Sequence, residues 1–206
     1  MIIERLVGRL YKTNCYVVII DNKALIIDPC VKIEEIERVL NGAKVVGLLL
    51  THGHIDHFYH IDEVKKYYGL KIHANKLAKE KLDDPNKNQS VLSNNPIKYV
   101  YPHEDYVYVT EKGFEIDGIK IGLIETPGHT DCSICFKIDN VMFTGDTLFA
   151  GYIGRTDLYS ASSYSMQKSL EKLKKLKDDF ILYPGHDQPT TLSHEKATNK
   201  YLLRIK

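Results

Sequence analysis

Short apolar runs separated by polar turns open the chain: residues 2–6, 15–20 and 24–27 read as strands, with Asp21-Asn22-Lys23 as the turn between the last two. Ile33, Ile36, Val39 and Leu40 then recur at helical spacing over 32–40, and Asn41-Gly42 supplies a C-terminal stop. Residues 45–50 (VVGLLL) form a continuous apolar run that suits a strand covered on both faces and leads directly into Thr51. The spacing next predicts a helix over 55–68, a short strand over 70–73 and a helix over 75–82. Residues 83–96 (DDPNKNQSVLSNNP) are polar and rich in turn formers, which predicts a long surface loop of the kind that borders active sites. Strand-like stretches recur between 99 and 124 and at 133–138, 141–143 and 180–183, with helices expected over 162–176 and 193–205. Strands and helices mix in both halves without an internal repeat, which favours a layered α/β architecture over a bundle.

Composition narrows the class. A chain of 206 residues can bury one sizeable core, so one domain over 1–206 is expected. No apolar run is long enough to span a bilayer, and the start MIIERLVGRLYKTN lacks the order of a signal peptide; a cytoplasmic protein without a membrane partner is expected. A net charge of +1 leaves no electrostatic footprint for nucleic acid, and the locally basic KSLEKLKKLK at 168–177 reads as the solvated face of a helix. Cys132 and Cys135 form a C-x-x-C in a strand-like segment, where residues three apart face opposite sides; the pair therefore reads as small packing residues. With Cys15 and Cys30 the count alone would permit disulfides, but nothing else in the chain points to an oxidising compartment.

The candidate chemistry starts where the VVGLLL run ends. Thr51-His52-Gly53-His54-Ile55-Asp56-His57 concentrates three imidazoles and a carboxylate, a density that packing does not explain. His52 and His54 can aim to one side of an extended loop, while Asp56 and His57 follow at a helix start and can aim elsewhere, so two neighbouring metal pockets result. Nitrogen and carboxylate ligands suit zinc, manganese or ferrous iron without a thiolate. Three later segments follow strand-like runs and place a glycine beside a ligand: Pro127-Gly128-His129, Gly145-Asp146 and Pro184-Gly185-His186. Asp146 is the natural bridge, because its two oxygens can each hold one of two cations about 3.5–4 Å apart. His60, His73, His103 and His194 lack ligand-rich surroundings and read as surface or packing residues.

The H-x-H-x-D-H motif with separated His, Asp and His at strand ends resembles the metallo-β-lactamase superfamily over nearly the whole chain. That resemblance implies a four-layer αββα sandwich of two mixed β-sheets flanked by helices. It also implies one metal on His52, His54 and His129, a second on Asp56, His57 and His186, and Asp146 between them. Gly154-Arg155-Thr156-Asp157-Leu158 and Pro189-Thr190-Thr191 resemble small glyoxalase II-like thioesterases, here without the separate C-terminal glutathione-binding domain of their full-length relatives. Flavodiiron oxidoreductases carry Glu where His54 stands, and zinc β-lactamases commonly carry Cys where Asp146 stands, so the resemblance points away from both.

The expected function is cleavage of a small-molecule thioester or related ester-like bond by hydroxide held on two divalent ions, zinc first, with iron or manganese as alternatives. Asp56 is expected to act as ligand or to handle a proton of the attacking water. Asp28 resembles a residue that orients a ligand histidine, or it simply forms the turn before Pro29. Arg155 offers a bidentate contact to a substrate carboxylate or to the nearby Asp157, the latter favoured by proximity. Tyr152 is a candidate to line the substrate pocket. The main alternative is a mononuclear iron persulfide dioxygenase, a family whose resemblance to this chain includes the GRTD segment and whose iron would sit on His52, His129 and Asp146; a lactonase or a ribonuclease of the same fold ranks below it.

Overall fold

In the computed structural model, which describes residues 1–92 and 96–205, the continuous apolar runs at 15–20, 24–27 and 141–143 become strands buried on both faces. Strands β1 (Ile2–Val7), β2 (Asn14–Ile20) and β3 (Lys23–Ile27) form an antiparallel meander. After helix α1 (Ile33–Glu37), strand β4 (Lys44–Leu49) returns parallel to β3. Helices α2 (Ile55–Phe58) and α3 (Ile61–Tyr68), strand β5 (Ile72–Ala74), helix α4 (Ala78–Leu82) and strand β6 (Tyr106–Tyr108) complete a mixed sheet in the order β1-β2-β3-β4-β5-β6.

The second sheet contains β7 (Phe114–Ile116), β8 (Ile119–Glu125), β9 (Ile134–Ile138), β10 (Val141–Gly145), β11 (Ile181–Pro184) and β12 (Thr190–Thr191). Its order is β12-β11-β10-β9-β8-β7, with β10 and β11 parallel and the other pairs antiparallel. Helix α5 (Ser163–Lys174) crosses from β10 to β11, and α6 (Leu192–Thr198) and α7 (Lys200–Leu203) follow β12.

Period two along β2 sorts the core into layers. Tyr16 and Val18 point between the sheets, where they meet Leu25, Ile27, Leu49, Phe136 and Phe143. Val17 and Ile19 point outward, against Ile36, Phe58, Ile61 and Val64 on the helices of the first sheet. The outer face of the second sheet buries Cys135, Met142 and Leu182 under Met166, Leu170, Leu173 and Leu202. Each such side chain, fully buried, contributes roughly 1.5–3 kcal/mol relative to exposure. The result is the expected αββα sandwich. Cys132 and Cys135 fall in clusters on opposite sides of the fold, and all four cysteines are free and buried.

Two expected helices are each divided. The helix read over 55–68 breaks at His60, whose N–H donates to the Pro29 carbonyl at 3.0 Å and whose backbone leaves the helical region at φ −105°, ψ 15°. The helix read over 193–205 breaks at Asn199, an extended residue whose side chain caps the Tyr201 N–H at 3.0 Å and donates to Glu195 at 2.8 Å. The described part of the loop read over 83–96 carries a 3₁₀ turn at Ser90–Leu92, and residues 93–95 of that reading lie outside the described residues. Among the described residues no helix is long and apolar enough to cross a membrane.

Candidate metal centre

Every predicted cluster residue lies at the same end of the sandwich, where strands stop and loops begin. β4 delivers Thr51 and His52; His54 caps α2, and the first turn of that helix carries Asp56 and His57. Across the sandwich, His129 follows β8, Asp146 follows β10 and His186 follows β11. A backbone bond from Ile134 N to Thr51 O, 3.0 Å, joins the two halves beside the cluster.

These seven side chains converge. His54 Nδ1 faces His129 Nε2 at 2.8 Å. His57 Nε2 lies 3.2 Å from one oxygen of Asp146, whose other oxygen lies 3.4 Å from His129 Nε2 and 3.5 Å from His186 Nε2. Asp56 Oδ2 lies 3.5 Å from His57 Nε2 and 3.4 Å from His186 Nε2. Three groups have donor atoms mutually close enough to hold an ion: His52, His54 and His129; His52, His57 and Asp146; Asp56, His57 and His186. Six of the seven residues are buried, and His186 is partly exposed.

Three of the five rings are anchored through their second nitrogen, which fixes what the inward one can do. His57 Nδ1 meets the Asp28 carboxylate at 2.8 Å, His52 Nδ1 meets the Thr51 hydroxyl at 3.1 Å, and His129 Nδ1 donates to the Arg155 carbonyl at 2.8 Å. Asp28 serves both roles left open by the sequence. It sits at a left-handed φ of 54° in the turn before Pro29, and its carboxylate also accepts from the Thr51 N–H at 2.8 Å and the Thr51 hydroxyl at 2.7 Å.

Electrostatics fit a cation. Burial, then the neighbouring His57, pushes His52 well below the ordinary imidazole range, and burial and His129 bring His54 down to about 3. Burial also acts to lower His57 and His186. There the carboxylates win: Asp56, Asp146 and Asp28 hold His57 well above its usual value, and Asp146 and Asp56 raise His186 to about 9. Burial raises the carboxyls of Asp56 and Asp146, but His57 and His186 outweigh it and leave both below the usual range. Among the described residues the ion-pair partners of Asp28, Asp56 and Asp146 are all imidazoles. Buried His52 Nε2, His57 Nε2 and Asp146 Oδ1 lack hydrogen-bond partners. Orphaned inward atoms beside carboxylates paired only with imidazoles are what a metal-binding cluster of nitrogen and oxygen donors presents.

Two glycines permit the crowding. A Cβ on Gly185 would lie 2.2 Å from Asp146 Oδ1 and 2.6 Å from His57 Cε1, and one on Gly154 would lie 1.9 Å from the Asp146 carbonyl oxygen.

A cleft of about 250 Å³ opens on the cluster, walled by Tyr11, Ile55, Gln89, Leu92, Arg155 and Leu158. The 83–92 segment borders it as expected, tied down by Ile55 N donating to Asn88 O at 3.0 Å. A larger groove of about 370 Å³ between α5 and α7 is lined by Ile153, Met166, Leu170 and Ile205 and reaches none of the seven residues, so the chemistry assigns the site to the smaller cleft. Arg155 stands at the mouth with its guanidinium on Asp157 at 2.7 and 2.8 Å, the loop-locking arrangement. Tyr152 does not wall the cleft; its hydroxyl bonds the Asp187 carboxylate and its ring packs on Phe149. Of the other histidines, His60 pairs with Glu63, His73 stacks on Phe114 and His103 bonds the Tyr108 hydroxyl.

Sequence reasoning missed Thr13, a fully buried residue whose hydroxyl donates to Asp56 Oδ2 at 2.6 Å. Its only signal in the chain is a polar pair, Thr13-Asn14, just before an apolar strand, which reads as ordinary turn chemistry.

Comparison with known proteins agrees with this geometry. Hydroxyacylglutathione hydrolase GloC of Haemophilus influenzae is 32% identical over 200 residues, covering 93% of this chain and of its own. The crystal structure of BLEG-1 B3 metallo-beta-lactamase superposes with a TM-score of 0.90 at 29% identity, covering 98% of this chain and 99% of that one. TTHA1623 in a di-iron-bound form superposes with a TM-score of 0.85 at 25% identity, covering 97% and 100%. Residues 8–186 match the Metallo-beta-lactamase superfamily, and the chain belongs to that superfamily of metal-dependent hydrolases.

Proposed function

We propose that this protein is a dinuclear metal-dependent hydrolase of small thioesters or related ester-like bonds, in the manner of hydroxyacylglutathione hydrolases. The observation that carries the reading is the pair of donor groups, His52-His54-His129 and Asp56-His57-His186, with both oxygens of Asp146 between them. Similarity to GloC supports the thioester class, and similarity to a di-iron form supports two ions. The first triad would hold one ion and the second triad the other; the imidazole and carboxylate donors suit zinc, with iron or manganese as alternatives.

When bound, the ions supply Lewis acidity and an oxygen nucleophile at neutral pH. The chain supplies placement. Ile55, Leu158 and Tyr11 offer apolar surface to the substrate flanking its carbonyl. Asp56, accepting from Thr13 and lowered in pKa, stays an anion; this favours ligand over proton carrier. Among the described residues walling the cleft there is no serine, threonine or cysteine to serve as an acyl-accepting hydroxyl or thiol.

The test is metal analysis of the purified chain beside three assays: hydrolysis of a hydroxyacylglutathione, hydrolysis of a β-lactam, and oxygen uptake with glutathione persulfide. Two metals with thioester hydrolysis are expected. One iron with persulfide-dependent oxygen uptake would overturn the reading in favour of a dioxygenase, and β-lactam turnover without thioester turnover would overturn the substrate class.

A further inference from the structure

Asp56 and His186 belong to opposite sheets, the first placed by α2 after β4 and the second by the turn after β11. No covalent or helical element sets the distance between them. The connection from β1 to β2 does touch both. Thr13 Oγ1 lies 2.6 Å from Asp56 Oδ2 and 3.1 Å from the Leu10 carbonyl; the shorter, charged acceptor takes the proton. A carboxylate oxygen has two lone pairs, so Oδ2 can accept from Thr13 and still face His57 and His186. Thr13 is itself fixed, its carbonyl accepting from Gly8 N at 2.7 Å and Cys30 Sγ at 3.2 Å.

The next residue holds the other partner. Asn14 N donates to the Gly185 carbonyl at 2.7 Å, and Asn14 Nδ2 donates to the carbonyls of Pro184 at 2.9 Å and Asp187 at 3.0 Å. Tyr16 adds a hydroxyl bond of 2.6 Å to Pro184, and Arg5 a bond of 2.7 Å to Asp187. The carbonyls on both sides of His186 are therefore all engaged by β1 and β2. Among the described residues none of these bonds reaches His52, His54 or His129, which are held instead by Thr51, by each other and by the Arg155 carbonyl.

We infer that Thr13 and Asn14 form a bracket that assembles the second half-site alone: Thr13 positions the Asp56 carboxylate, Asn14 positions the turn bearing His186, and the β1–β2 connection thereby sets affinity for the second cation without setting affinity for the first. This rests on the dinuclear reading above. Both are positioning residues. Removing such a partner typically lowers metal affinity roughly 10–100-fold.

The test is stepwise zinc titration of the full chain against a chromophoric chelator, with melting of the metal-free protein followed in parallel, for wild type, Thr13→Val and Thr13→Ser. Valine keeps the shape and removes the donor; serine keeps the donor. Wild type is expected to take two zinc ions. Thr13→Val is expected to keep its first affinity and lose roughly 10–100-fold in its second, with Thr13→Ser close to wild type. Unchanged affinities in Thr13→Val overturn the bracket alone. So does an equal loss at both steps with a lowered melting temperature, which would mark Thr13 as merely structural. A wild-type chain that takes a single zinc overturns the dinuclear reading and the bracket with it.

Discussion

His52 and His54 touch neutral groups and His129 meets a single carboxylate, Asp146, whereas His57 lies against three carboxylates and His186 against two. Burial acts on both sets and decides the outcome in only one. In the first it drives His52 and His54 down, leaving bare lone pairs at neutral pH. In the second, Asp56, Asp146 and Asp28 overcome it and hold His57 and His186 above the ordinary imidazole range. One half is thus ready for a metal ion; the other must exchange protons for it.

The largest effect is expected where the halves meet. Asp146→Asn removes the charge both share, so binding should weaken at each step and thioester hydrolysis should fall on the order of 10³-fold, about 4 kcal/mol of barrier. Steady-state rates and zinc stoichiometry check this; loss at one step only would show that Asp146 is not shared.

Asp28→Ala should act unequally. The carboxylate contacts His57 directly and His52 only through the Thr51 hydroxyl, so second-step zinc affinity should drop roughly 10–100-fold and the first by less. Equal losses in chelator competition would erase the distinction between the halves.

The smallest effect concerns protons. His186, raised to about 9, is protonated at pH 7, and the surrounding carboxylates also hold His57 well above its usual value, so the second zinc should release roughly one to two protons and bind more tightly as pH rises towards about 9. His54, lowered to about 3, is neutral at pH 7, and His52 is lowered as well, so the first zinc should release fewer protons and depend less on pH than the second. Calorimetry in two buffers of different ionisation enthalpy measures both numbers.

Much of this arrangement was legible in the chain because its signals are local. Apolar runs ending in His, Asp or Gly-His marked the strand ends, and the dense segment from His52 to His57 marked the loop that the others approach. The continuous apolar run at 45–50 marked a strand covered on both faces. Features that depend on segments distant in sequence were illegible. The break at His60 follows from a carbonyl at Pro29, Tyr152 turns away from the cleft towards Asp187, and Thr13 matters because the hairpin happens to reach Asp56. Each would have required the packing before the pattern.

The sealed thiols described with the core have a practical corollary. Burial raises Cys15, Cys30 and Cys132, and takes Cys135 up to about 11, so the native chain offers alkylating dyes no accessible thiolate. A single cysteine engineered on the surface would be a unique handle for fluorophore labelling or immobilisation, with no need to delete any natural sulfur first.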